Sequence, residues 1–231
     1  MNIFFLDENV DRCAEAHMDS HVGKMVLESV QLLCNALWID KVVGYAPRKI
    51  TSAEVALIRD QPNYESGELY KIVSYNHPCA IWARTSLENY EYLWALASAL
   101  GQECRWRGFN EHKSYLKLLE LPDPAHIPSN GLTMPALAME DDLKTFDPIE
   151  SYRSCYIEDK ARMEKPGKAI QYARWTRRNP PEWWWANKSS VKNYLDAKAL
   201  RDNSQTPENQ KIWQKQMDDI IYLARNTKRG K

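Results

Sequence analysis

The stretch AHMDSHVGKMVLESVQ, residues 16–31, decides the fold class. His17, His21, Lys24, Glu28 and Gln31 follow one another at steps of four, three, four and three, the spacing that stacks side chains along one face of an α-helix. Met18, Val22, Met25, Val26, Leu27, Val30, Leu32 and Leu33 occupy the rest of the circumference. A helix that is apolar around most of its girth is a buried one. Its polar stripe therefore either borders a cleft or is the single side shown to water. Upstream, Asp7 or Asn9 can cap this helix, and the spacing predicts that it runs unbroken to about Trp38.

The pattern outside this helix is also helical. The segment NHPCAIWARTSLENYEYLWALASALGQECRWRG, residues 76–108, reads as one long helix with Asn76 or His77 as cap, Pro78 in the first turn and Gly108 as terminator. Short helices are expected over 51–59 and about 111–120. Asp147, Pro148 and Glu150 start another through DPIESYRSCYIEDKARM, residues 147–163. Between them LPDPAHIPSNGLTMPALAM, residues 121–139, is too long for a turn and is a candidate to line a site. The opening NIFFL is a strand or an extended segment. With little period-two alternation and no repeat, the class is mainly α. The expected organisation is a single helical domain over 1–185 and a C-terminal helical extension over 186–231 with the basic tail TKRGK.

Composition narrows the function classes. With 231 residues and 44% hydrophobic content the chain can bury a sizeable core, and its formal net charge of zero argues against holding nucleic acid by bulk charge. Cys13, Cys34, Cys79, Cys104 and Cys155 stand singly among apolar neighbours without a CxxC pair, as reduced core residues of a cytoplasmic protein would. No signal peptide is expected, and no apolar stretch approaches membrane-spanning length. Phosphate-loop, dinucleotide and nucleophile-elbow motifs are missing, so no cofactor is indicated.

Two clusters place cations beside aromatic rings: CRWRGFNEHK, residues 104–113, and KPGKAIQYARWTRRNPPEWWW, residues 165–185. Arg105, Arg107 and Lys113 in the first, with Arg174, Trp175, Arg177, Arg178 and Trp183 in the second, are candidate DNA contacts, because Arg and Lys bind phosphates while Trp stacks on extruded bases. The ordinary alternative is that the tryptophans are packing anchors with arginines lying over them. His17 and His21, four apart, invite a metal reading, but the rest of the HExxH signature is missing and Asp19 points off the His face. No metal is therefore expected. Lys24 between His21 and Glu28 suits proton transfer or an amine nucleophile if it is desolvated, and is otherwise a surface ion pair.

The order of motifs resembles the bacteriophage pyrimidine-dimer DNA glycosylase family, also called endonuclease V. The resemblance rests on the His-bearing first helix, then on His77, Trp82, Leu87, Tyr90, Glu103, Arg107, Gly108 and Phe109, and covers roughly residues 2–185. It implies the endonuclease V fold and a base-flipping protein acting on duplex DNA in the cytoplasm of an infected bacterium. It also implies an amine that attacks the sugar C1′ to give a Schiff base, with an assisting carboxylate. His17, His21, Lys24, Glu28, His77 and Arg84 are the candidate catalytic residues. The family nucleophile is the α-amine of a Thr; here the chain begins Met1-Asn2, leaving Lys24 or the Met1 terminus as the amine. A DNA base-modifying transferase acting on a 5-hydroxymethyl-type pyrimidine, and a non-catalytic DNA-binding or assembly protein, are the rival expectations.

Overall fold

The computed structural model describes residues 1–160, 162–163 and 171–185, together with positions 211 and 215. The expected extension over 186–231, and Lys165 and Lys168 of the second cluster, lie outside the described residues.

The molecule is mainly helical, as the periodicity predicts. Helix α1 (Val10–Ala16) is capped by Asn9, whose side chain accepts the N–H groups of Asp11 and Arg12. It does not continue into α2 (Asp19–Val42). His17 and Met18 are extended and separate the two helices, which corrects the expectation of one helix. Side chains distant in sequence hold the break: Trp175 donates its indole N–H to the Ala16 carbonyl at 3.0 Å, Arg107 donates to the Glu15 carbonyl at 3.0 Å, and Tyr156 accepts the Met18 N–H at 3.1 Å. Each satisfies a main-chain group that a continuing helix would have paired itself.

The expected long helix over 76–108 is likewise two. Helix α3 (Ser52–Arg59) precedes it, closed by a capping box between Thr51 and Glu54. Helix α4 (Pro78–Ala83) is capped by His77, and α5 (Leu87–Trp106) by Ser86, whose hydroxyl accepts the Asn89 N–H. Gly108 ends the helical run with φ +82°, a conformation that costs glycine nothing. Helix α6 (Lys113–Leu118), a 3-10 turn (Asp141–Leu143) and α7 (Pro148–Lys160) follow. The two-residue strands β1 (Arg162–Met163) and β2 (Gln171–Tyr172) pair antiparallel, and α8 (Glu182–Trp185) closes the described chain.

Helix α2 is the centre. It packs along α5 and against α4 and α6, while α1 lies on α5. By length and composition α2 is apolar enough to cross a membrane, contrary to the expectation that no stretch reaches that length; 72% of its apolar window is buried inside the protein. The NIFFL segment forms neither a helix nor a strand among the described residues, and Ile3, Phe4, Phe5 and Leu6 are all buried. All five cysteines are buried and none forms a disulfide among the described residues, as core residues should be.

Candidate active site and basic surface

The buried opening segment brings the amino terminus to the polar face of α2. The main-chain N–H of Asn2 donates to Glu28 Oε2 at 3.0 Å, and the Asn2 side chain donates to the Ala138 carbonyl at 3.0 Å. The 121–139 connection thus reaches over the terminus with its last residues. Lys24 pairs with Glu28 at 3.4 Å, with the lysine side chain 57% exposed and the glutamate mostly covered. Phe4 takes φ +42°, a left-handed conformation that costs a bulky residue about 1–3 kcal/mol, and its ring lies 5.0 Å from that of His21.

His77 belongs to this neighbourhood. Its Nδ1 accepts the Cys79 N–H at 3.2 Å, so the cap and the candidate role fall on one side chain. Burial lowers its pKa and the Met1 ammonium lowers it further, while Glu28 opposes them. Burial pushes the Cys79 thiol up to about 12 against the pull of the same ammonium. Met1, Glu28, His77 and Cys79 therefore share one electrostatic environment.

Two of the sequence candidates, His17 and Arg84, fall elsewhere. His17 sits in the break between α1 and α2, fully enclosed, and burial lowers its pKa to about 4; it lies inside the protein beneath the stripe instead of extending it. Arg84 is buried and spends its guanidinium on four carbonyls, those of Ala46, Arg48, Tyr75 and Ala80. This ties the 46–48 loop to α4 and leaves Arg84 no role at the stripe. Lys24 lacks the desolvation that an amine nucleophile at that position requires. His21, on the same face as Lys24 and Glu28, is 3% exposed, and burial lowers its pKa to about 3.

The two basic and aromatic clusters meet in space. Arg177 donates to the Trp106 carbonyl at 2.9 Å, and Arg178 lies 4.1 Å over the Trp106 ring. Arg177 also packs its guanidinium 3.0 Å from where a side chain on Gly108 would begin. The resulting surface exposes Arg105, Trp106, Phe109, Lys113 and Arg177.

Other members of the clusters turn inward. Arg107 is fully buried and bonds Glu103 at 2.7 Å and Asp19 at 3.0 Å. Its side chain holds α5 to the start of α2, so it is unavailable to a phosphate. Trp175 is buried edge-to-face on Trp184 at 4.9 Å, which removes it as a base-stacking platform. Arg174 reaches Asp19 at 3.4 Å. Arg178 is held by both oxygens of Glu103, at 2.7 and 2.8 Å, and by Glu15 at 3.1 Å. Burial would raise the Glu103 carboxyl, but the bonds from Arg178 and Arg107 outweigh it and hold the group below its ordinary value. Asp19 also accepts from the Thr176 N–H and hydroxyl, so these acids clamp residues 174–178 onto the helices.

Trp183 lines a cleft of about 760 Å³ with Arg12, Arg153, Arg177 and Arg178, facing Asp7, Glu15 and Glu182. Arg153 lies 5.4 Å over the Trp183 ring and donates to the Leu6 carbonyl at 2.8 Å. Sequence reasoning missed Arg12 and Arg153 because each stands alone among unlike neighbours. No family model, curated protein or solved structure matches this chain.

Proposed function

We propose that this protein acts on DNA by imine chemistry, as a glycosylase or abasic-site lyase, with the Met1 α-amine as nucleophile and Glu28 as its carboxylate. The observation that carries the reading is the burial of residues 3–6 in the core, with the Asn2 N–H bonded to Glu28 and the Met1 ammonium acting on His77. Amine catalysis needs a carboxylate that takes the proton as nitrogen adds to C1′ and then faces the cationic imine. Glu28, mostly covered and within hydrogen-bond distance of the Asn2 N–H, supports this reading. The exposed surface of Arg105, Trp106, Phe109, Lys113 and Arg177 supplies cations for phosphates and rings for unstacked bases.

The test is reduction with borohydride in the presence of duplex DNA carrying an abasic site. The amine adds to the C1′ aldehyde with loss of water, and hydride reduces the C=N bond to a stable secondary amine. The expected adduct maps to the amino-terminal peptide by mass spectrometry. An adduct on Lys24 overturns the assignment of the amine. An intact strand with an altered base mass and no adduct favours the base-modifying transferase.

A further inference from the structure

Two imidazole nitrogens inside the protein, Nε2 of His17 and Nδ1 of His21, have no hydrogen-bond partner among the described residues. His17 Nδ1 lies 2.7 Å from the Cys13 carbonyl. A carbonyl only accepts, so Nδ1 carries the proton and Nε2 is a bare lone pair. Both imidazoles contact Tyr156 edge-on, with ring centroids at 5.9 Å for His17 and 5.2 Å for His21, and both contact Phe4. The two imidazoles thus pack against the same two rings. Tyr156 oxygen accepts the Met18 N–H, which leaves the phenolic proton to be donated. Buried polar atoms without partners cost about 1–3 kcal/mol each, so the two unpaired nitrogens beside the Tyr156 phenol point to an occupant.

The chemistry selects which occupant. A metal ion would meet two imidazoles, but the described residues hold no group of three His, Cys, Asp or Glu suited to an ion, and the Arg107 charge disfavours a cation at His17. Water closes the hydrogen-bond count. It donates one hydrogen to His17 Nε2 and one to His21 Nδ1, and it accepts the Tyr156 proton, within the two to four bonds that buried waters make. The alternative, with Nδ1 of His21 protonated, leaves one water hydrogen with nothing to bond. We propose that His17, His21 and Tyr156 form a buried site for one water molecule, which holds His21 in the tautomer protonated at Nε2.

This bears on the chemistry proposed above, and that part rests on it. His21 presents an N–H to the helix face it shares with Lys24 and Glu28, so it donates a hydrogen bond to substrate oxygen and does not remove a proton. His17 acts through the water as a positioning residue.

The test is imidazole nitrogen–proton correlation by NMR on the whole protein at pH 7, without DNA, so that it succeeds or fails independently of imine trapping. The expected spectrum has His17 neutral with its proton on Nδ1 and His21 neutral with its proton on Nε2. A proton on Nδ1 of His21 overturns the proposal, as does stoichiometric metal in the purified protein. His17→Gln keeps an acceptor oxygen and should leave the His21 pattern unchanged. His17→Phe removes it and should give mixed His21 tautomers; an unchanged pattern there also overturns the site. Should His17→Phe fail to fold, the wild-type spectrum decides.

Discussion

Asn2 and Glu28, 26 positions apart, are joined by a 3.0 Å hydrogen bond from the main-chain N–H of one to the carboxylate of the other. The bond anchors a segment of which Ile3 to Leu6 are buried, and at its other end Arg153 grips the Leu6 carbonyl and Asp7. A terminus with one anchor would fray, since terminal residues are poorly ordered unless tied down. With both, the segment has a fixed place beside the α2 stripe, as the proposed amine chemistry requires.

Replacing Glu28 separates its structural and chemical roles. Glu28→Gln keeps an oxygen to accept the Asn2 N–H while removing the charge, so the fold should persist and borohydride trapping should slow by roughly 100-fold, the usual effect of losing a proton-transfer group. Lys24→Ala removes only a half-exposed ion pair, worth a few tenths of a kcal/mol. Its adduct should still map to the amino terminus. Thermal denaturation and trapping kinetics on the same samples check both expectations.

The buried imidazoles make stability depend on pH. In the fold burial holds His17 at about 4 and His21 at about 3, whereas both titrate near 6.5 in the unfolded chain. As pH falls below about 6.5 the unfolded state takes up protons that the folded state refuses, so stability is full above that value and declines below it. For His17 alone the loss at pH 5 is roughly 2 kcal/mol. Urea denaturation at pH 7 and pH 5 measures it, and equal midpoints would show that the imidazoles are not buried as neutral bases.

Local signals were legible in the sequence and distant ones were not. Asn9, Thr51 with Glu54 and Asp147 cap helices through atoms two or three residues away, and their residue types announce it. The break at His17 and Met18 depends on Trp175, Arg107 and Tyr156, about 90 to 160 residues away, and no periodicity contains that. Ser86 did carry a start signal, yet the apolar spacing on either side of it masked the gap. At the site, the Lys24–Glu28 pair follows from helical spacing, whereas the place of Asn2 does not. Charge count also misled: Arg105 and Arg107 are two residues apart, but one faces solvent and the other bonds Asp19 and Glu103 within the protein.

That inward arginine should behave as a keystone. Arg107→Met leaves the Glu103 and Asp19 carboxylates short of a partner and the Glu15 carbonyl unbonded. Breaking a buried pair from one side costs about 3–5 kcal/mol. Its unfolding midpoint should drop sharply, with Trp175 fluorescence reporting loosening at the start of α2.

The outward side of the same cluster should be insensitive in stability and sensitive in DNA affinity. Arg105, Lys113 and Arg177 are exposed, and among the described residues the Arg177 guanidinium bonds the Trp106 carbonyl. Reversing Arg105 and Arg177 to Glu should therefore change stability little, since surface substitutions stay within about 0.5 kcal/mol. If these cations neutralise phosphates, binding weakens across all sequences, and the dependence of log affinity on log salt flattens by about one for each phosphate no longer neutralised. Trp106→Ala adds a second readout, because its 47% exposed ring is the group that an unstacked base would cover, an interaction worth about 1–3 kcal/mol. It should weaken single-stranded or abasic DNA more than intact duplex. Titrations at two salt concentrations with both DNA forms check this; an unchanged salt slope in the double reversal, with intact folding, would place the DNA surface elsewhere, and the Arg12 and Arg153 cleft would be the next to examine.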